Sequence, residues 1–205
     1  MKIFKTIFLL LAFLVLTSCA SGYKMIEPKT VNYVSTSEND GVTLQYKYDL
    51  LDKKYAKKEG KKDIRLVAVK VTNNSGRDMI FGRDLTLTYA NGNQIFVMDN
   101  QATFKSLKQS PTSYLWYLLL TPLTISSSSS DGVSSSSSSF PAGLIIGPGL
   151  AGGNMLAAGS ANKKFEQELM EFDINGTTIP QGETRYGLIG IQSDSFDSLQ
   201  LRIDQ

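Results

Sequence analysis

A chain of 205 residues with one cysteine cannot cross-link itself, so a hydrophobic core must hold whatever it folds into. That cysteine, Cys19, stands at the end of the apolar stretch FLVLTSCAS, and histidine is absent altogether. The patterning that could supply a core has a period of two. Val42, Leu44, Tyr46, Tyr48 and Leu50 alternate with Thr43, Gln45, Lys47 and Asp49, which predicts a half-buried strand. Residues 64–72, IRLVAVKVT, are rich in valine and apolar on both faces towards the middle, which predicts a central strand, closed by the turn residues NNSG. LTLTY and QIFVM flank ANGN, where Asn91-Gly92 tolerates the positive φ of a tight hairpin. Two more strands follow PQGE near the C-terminus: residues 186–191, and a run in which Leu199, Leu201 and Ile203 alternate with polar residues. In KKFEQELMEF, Phe165, Leu169 and Phe172 fall at i, i+4 and i+7, predicting one short helix with Ser160 or Asn162 as its N-cap.

The first eighteen residues have a different design. Lys2 and Lys5 precede the unbroken apolar run 7–16, and Thr17-Ser18 supplies small residues at its end, the three-part pattern of a secretory signal. Ten apolar residues make a helix of about 15 Å, half of the roughly 30 Å of a bilayer's hydrocarbon core. Leu16-Thr17-Ser18-Cys19 resembles the lipobox of bacterial lipoproteins. The resemblance implies cleavage between Ser18 and Cys19, with diacylglyceryl and palmitate-type acyl groups on the new N-terminal cysteine. It thereby makes membrane lipid the partner of Cys19. Ala20 through Lys24 lack the Asp that retains such proteins at the inner membrane and the acidic cluster that exports some to the cell surface. The expected location is a Gram-negative cell envelope, at the outer membrane facing the periplasm.

Residues 1–18 hold two of the 21 basic residues and none of the 19 acidic ones, so the remainder is formally neutral. Neutrality argues against a general polyanion binder, and no nucleic-acid partner is expected. The domain reading is a signal at 1–18, a tether at 19–32, a β-domain built from 33–106 and 163–205, and an insertion at 107–162. The strand pattern predicts a mainly β fold, an antiparallel β-sandwich with one short helix. IPQGETRYGLIGI followed by SFDSLQLRI resembles the last two strands of small immunoglobulin-like domains in Gram-negative lipoproteins, and VAVKVTNNSGRDMIF extends the resemblance. That resemblance implies an immunoglobulin-like sandwich and says nothing of activity.

The insertion is apolar in both arms. YLWYLLLTPLTI is followed by the low-complexity SSSSSDGVSSSSSS, read as a flexible linker, and then by the glycine-rich FPAGLIIGPGLAGGNMLAAGSAN. Gly143-x₃-Gly147 and Gly149-x₃-Gly153 have the spacing that allows close helix approach. The first arm is too short to span a bilayer, and Pro141 and Pro148 interrupt the second. Three arrangements are open: a hairpin dipping into one leaflet, an apolar flap packed on the domain or on a second copy, and a disordered loop. The candidate membrane or partner contacts are Trp116, Tyr117, Leu118, Leu144, Ile145 and Ile146.

The available chemistry is limited. Without histidine, and with Cys19 committed to lipid, there is no Ser-His-Asp or Cys-His set and no ordinary zinc site. No cofactor, metal or catalytic residue is expected. Glu166, Glu168, Glu171 and Asp173 read as the solvated face of the short helix. DKKYAKKEGKKD, residues 52–63, reads as a loop between strands. Its lysines either meet anionic headgroups and glycans or form a solvated tip that Asp52, Glu59 and Asp63 dilute. The expected function is a non-catalytic binding or scaffolding module, lipid-anchored, with 107–162 contacting the membrane, itself or another envelope protein. The alternatives are a small carboxylate-based envelope hydrolase and an oligomeric membrane-inserting protein built on the glycine-rich arm.

Overall fold

In a computed structural model of the chain, the described residues are 19–122, 124–131, 134–140 and 143–204. In chain order the first elements are a 3-10 turn (Pro28–Thr30), β1 (Ser35–Asn39), β2 (Val42–Lys47), helix α1 (Lys53–Lys62), β3 (Ile64–Asn73), β4 (Met79–Ile80) and β5 (Leu85–Tyr89). They continue with β6 (Val97–Met98), α2 (Asn100–Leu107), a 3-10 helix (Pro111–Leu120), β7 (Ile125–Asp131) and β8 (Ser134–Phe140). The chain closes with α3 (Gly143–Glu171), β9 (Thr178–Ile179), β10 (Thr184–Gln192) and β11 (Leu199–Ile203). The described chain divides into two compact units, residues 19–22 with 109–161, and residues 23–108 with 162–204.

The second unit holds nine of these strands in antiparallel sheets. Five of them pair in the order β1-β2-β3-β10-β6, and β11 pairs with β5 and β4 with β9. Val67, Val69 and Val71 of β3 and Ile189 and Ile191 of β10 share one core with Leu85, Leu87, Leu199 and Leu201 of the smaller sheet. Residues of the opposite parity, Leu66, Ala68 and Leu188, are buried as well. Helices α1 and α2 lie against β3 and β10 on that face, which is why the two central strands read as apolar on both sides. Asn73 closes the NNSG turn. Its amide nitrogen donates to the carbonyls of Arg77 and Ile179, both at 2.8 Å, and its oxygen accepts from the Ser75 N–H and hydroxyl.

Antiparallel sheets were expected and are found, but among the described residues strand and helix content are roughly equal, with three α-helices where one short one was expected. The predicted helix at 163–172 is the last part of the 29-residue α3. Residues 52–63, expected as a loop, contain α1. The pattern KKYAKKEGKK repeats every four residues, so Tyr55 and Glu59 form one buried row while the lysines occupy the adjoining rows. Asp63 ends the helix in the left-handed region at φ 52°, its N–H returning to the Glu59 carbonyl.

Residues 23–27, expected to belong to a tether, are held in this unit. The Tyr23 ring packs against Tyr55 at 5.3 Å and Phe165 at 5.0 Å between centroids. Glu168 of α3, 1 % exposed, accepts the Tyr23 hydroxyl and the N–H groups of Ile26 at 2.7 Å and Glu27 at 3.0 Å. Burial, then the bond to Glu168, pushes the Tyr23 hydroxyl far above the ordinary tyrosine range, so it remains a donor.

Glu59 makes stability pH-dependent. It is buried and accepts the Leu66 N–H at 2.7 Å, and burial pushes its carboxyl up to about 7, against the lowering effects of that bond and of Arg65. Between the unfolded value of 4.5 and about 7 the folded chain keeps a proton that the unfolded chain has released. Stability is therefore greatest below this window and falls as pH rises through it, by on the order of 3 kcal/mol in all. With no histidine to titrate in the same range, urea midpoints across pH 4–8 (roughly the span of the two pKa values) should show this fall. Glu59→Gln should flatten it. An equally steep fall in the variant would assign the effect to another group.

Candidate functional site: the apolar unit around Cys19

The first unit is unusual in charge. Residues 109–161 contain a single charged residue, Asp131. Its ordering element is the 3-10 helix, begun by Pro111, whose fixed φ suits a first helical position. A 3-10 helix has three residues per turn, so side chains at i and i+3 share a face. Tyr114 and Tyr117 are therefore turned inward together, their rings stacked at 6.3 Å with 4° between planes. They pack with Ala151 and Ala158 of α3, and Ala20, Leu150 and Met155 close the margin of this cluster. The next face carries Leu115 and Leu118, and the third carries Trp116 and Leu119, 74 % and 67 % exposed.

The residues after Cys19 are part of the same unit. The Ala20 N–H donates to Asn154 Oδ1 at 2.6 Å, and Asn154 in turn donates to the Leu150 carbonyl at 2.8 Å. Ser21 and the buried Gln109 exchange two bonds: the Ser21 N–H donates to Gln109 Oε1 at 3.2 Å, and Gln109 Nε2 donates to the Ser21 carbonyl at 2.6 Å. Tyr114 also donates to Gln109 Oε1, at 3.3 Å. Cys19 itself is exposed. Acyl chains on its sulfur would thus leave the protein one residue from the apolar cluster.

The candidate contact residues separate. Trp116, Leu118 and Leu144 are exposed, but Tyr117 is not, because the three-residue period puts it beneath its neighbours; as a surface contact it is corrected. Its hydroxyl is buried without a hydrogen-bond partner among the described residues. Ile145 and Ile146 lie in the first turns of α3, and their side chains fall outside the described residues, as do Ser18 and the signal expected at 1–18. Leu115 and Leu119 were missed, although a period of three in YLWYLL would have found them. Of the two small-residue spacings, Gly147 makes a close approach: a Cβ there would stand 3.0 Å from the Tyr117 carbonyl oxygen. Gly149 and Gly153 face open space.

The serine run, expected as a flexible linker, is a hairpin in which Ile125 lies opposite Phe140 and Asp131 opposite Ser134. Cross-strand pairing gives its backbone N–H and C=O groups partners. Among the described residues no helix is long and apolar enough to cross a membrane. In α3 the uncharged stretch 143–162 is diluted by its glycines and by Pro148, Asn154, Ser160 and Asn162, and Lys163, Lys164, Glu166, Glu168 and Glu171 occupy the turns after it. Among the described residues no group of three or more His, Cys, Asp or Glu is placed to hold a metal ion.

Glu168 is not on a solvated face, as its spacing had suggested. Among the described residues the two buried acids, Glu59 and Glu168, already accept protein N–H or O–H groups, which is structural work. A recess of about 410 Å³ is lined by Asp40, Ser75, Arg77, Met79 and Ile203. Another of about 230 Å³ places Asp49 and Asp52 beside Lys24 and Lys47, so its charge is balanced. Compared with known proteins, the chain matches no family model, no curated protein and no solved structure.

Proposed function

We propose that this is a lipid-anchored protein of a Gram-negative cell envelope, acylated on Cys19 and held at the outer membrane facing the periplasm. Its second unit is read as an immunoglobulin-like β-sandwich that binds or scaffolds a partner and catalyses nothing. A five-stranded antiparallel sheet sharing one core with the two small sheets β11-β5 and β4-β9 supports the sandwich reading. The observation that carries the anchoring is the setting of Cys19. It follows Leu16-Thr17-Ser18 in sequence, is exposed, and leads directly into a nearly uncharged unit with Trp116 and Leu119 turned outward. Each acyl CH₂ buried in lipid contributes about 0.8 kcal/mol, so two or three chains anchor firmly, and an outward tryptophan suits the water–lipid boundary.

Metabolic labelling with radioactive palmitate in a Gram-negative host tests this. Wild-type chain should take up label and sediment with membranes, whereas Cys19→Ala should take up none. Equal labelling of the two, or none in either, would remove the anchor.

A further inference from the structure

The lysine-rich segment that sequence alone assigned to a diluted loop is a sorted helical surface. On α1 the two rows Lys53/Lys57/Lys61 and Lys54/Lys58/Lys62 are adjacent, and the acid expected to dilute them, Glu59, is turned into the core. Of the other two acids, Asp52 precedes the helix and Asp63 follows it, so the outward rows are lysine throughout. Helix α2 adds to them. Lys58 Nζ donates to the carbonyl of Lys108, the C-cap of α2, and the Lys108 ammonium rests 5.3 Å from the centre of the Phe104 ring. Among the described residues no carboxylate lies within ion-pair range of Lys58, Lys61, Lys62 or Lys108. Their mutual repulsion is felt: Lys58 is held below the usual lysine range by burial first, and then by Lys62, Lys108 and Lys61.

We propose that Lys58, Lys61 and Lys62 of α1 with Lys108 at the end of α2 form a docking face for the headgroup phosphates of an anionic phospholipid surface. Charge complementarity and the form of the array select this occupant. The four ammonium groups are point charges on long stems, with no arginine fork among them to grip one phosphate in two places. They come from two elements, and on α1 Lys61 and Lys62 are exposed with Lys58 half-buried beside them, which fits many laterally mobile phosphates better than one fixed anion. Each lysine near an anionic surface contributes on the order of 1 kcal/mol, about a fivefold change in partition. The inference goes beyond the anchoring reading and does not need it, since it concerns a face that acts with or without acyl chains.

The test uses the full chain carrying Cys19→Ser, so that acylation plays no part. Co-sedimentation is measured with vesicles of phosphatidylglycerol in phosphatidylcholine and with vesicles of phosphatidylcholine alone; the ratio cancels apolar insertion common to both. The combined variant Lys58→Gln, Lys61→Gln, Lys62→Gln, Lys108→Gln should lose on the order of several hundredfold of the preference for anionic vesicles. A control with the same charge removed elsewhere, Lys24→Gln, Lys29→Gln, Lys163→Gln, Lys164→Gln, should change it less than about threefold. Should the first variant fold poorly by circular dichroism, Lys61→Gln with Lys62→Gln alone still predicts a loss of roughly twentyfold. Equal losses in variant and control would show that net charge acts and the face does not exist. Competition by inorganic phosphate beyond that of chloride at equal ionic strength would indicate a discrete phosphate site, and would overturn the membrane assignment. Absence of palmitate labelling on Cys19 would leave every one of these outcomes unchanged.

Discussion

Gly190→Ala is expected to destabilise the second unit by about 3 kcal/mol, toward the upper end of what overpacking a core costs. A Cβ at Gly190 would stand 2.2 Å from Thr103 Oγ1, 2.6 Å from its Cγ2 and 2.9 Å from its Cβ. Thr103 has little room to yield. It is fully buried on α2, and its hydroxyl donates to the Asp99 carbonyl at 3.0 Å. Gly190 cannot retreat either, because it is paired with Leu66 on one side and Met98 on the other. Urea unfolding of wild type and variant measures the cost. Adding Thr103→Ala to Gly190→Ala should restore 1 kcal/mol or more, roughly a third of the loss, because the nearest two clashing atoms are gone. A single variant within about 0.5 kcal/mol of wild type would show that helix and strand are not in close contact there.

Glu168→Ala should cost about 4 kcal/mol, since it removes a buried acceptor from one hydroxyl and two backbone N–H groups at once. Those donors lie on Tyr23, Ile26 and Glu27, so the loss should also free this segment from α3. Tyr23→Phe removes one donor, keeps the ring against Tyr55 and Phe165, and should cost about 1.5 kcal/mol. In the Glu168→Ala background the same Tyr23→Phe change should cost almost nothing, because the bond has already gone. Denaturant midpoints give the energies, and limited proteolysis near residues 23–27 reads the release. If cleavage there is as slow in Glu168→Ala as in wild type, the carboxylate does not fasten the segment.

The strands were legible because burial on one face or two leaves a period-two or an unbroken apolar pattern. Val42, Leu44 and Tyr46 are buried while Thr43 and Gln45 are less so, and residues 66–69 are an unbroken apolar run because helices cover the strand's second face. Helix α1 was legible in principle through its four-residue repeat. It was obscured because ten residues with six lysines have low apolar content, and only Tyr55 and Glu59 go inward. Tyr117 was misplaced because an apolar run of twelve does not announce whether three or 3.6 residues make its turn, and the choice decides which rings face out. The segment 23–27 looked like tether because backbone N–H groups, which make two of its three bonds to Glu168, leave no mark in a sequence.

The sequence by itself determined that no disulfide could help, that the strands alternate as they do, that Cys19 closely follows an unbroken apolar run, and that residues 109–161 are almost without charge. Only the tertiary structure decided where charges end up. It turned Glu59 inward and lined up the lysines around Lys58 and Lys108 outward, and it spent Glu168 on three donors 141 to 145 residues away. The physical reason is one of range. Patterns of burial are written residue by residue along each element, whereas the field at an ionisable group sums over neighbours that the chain brings together only when it folds.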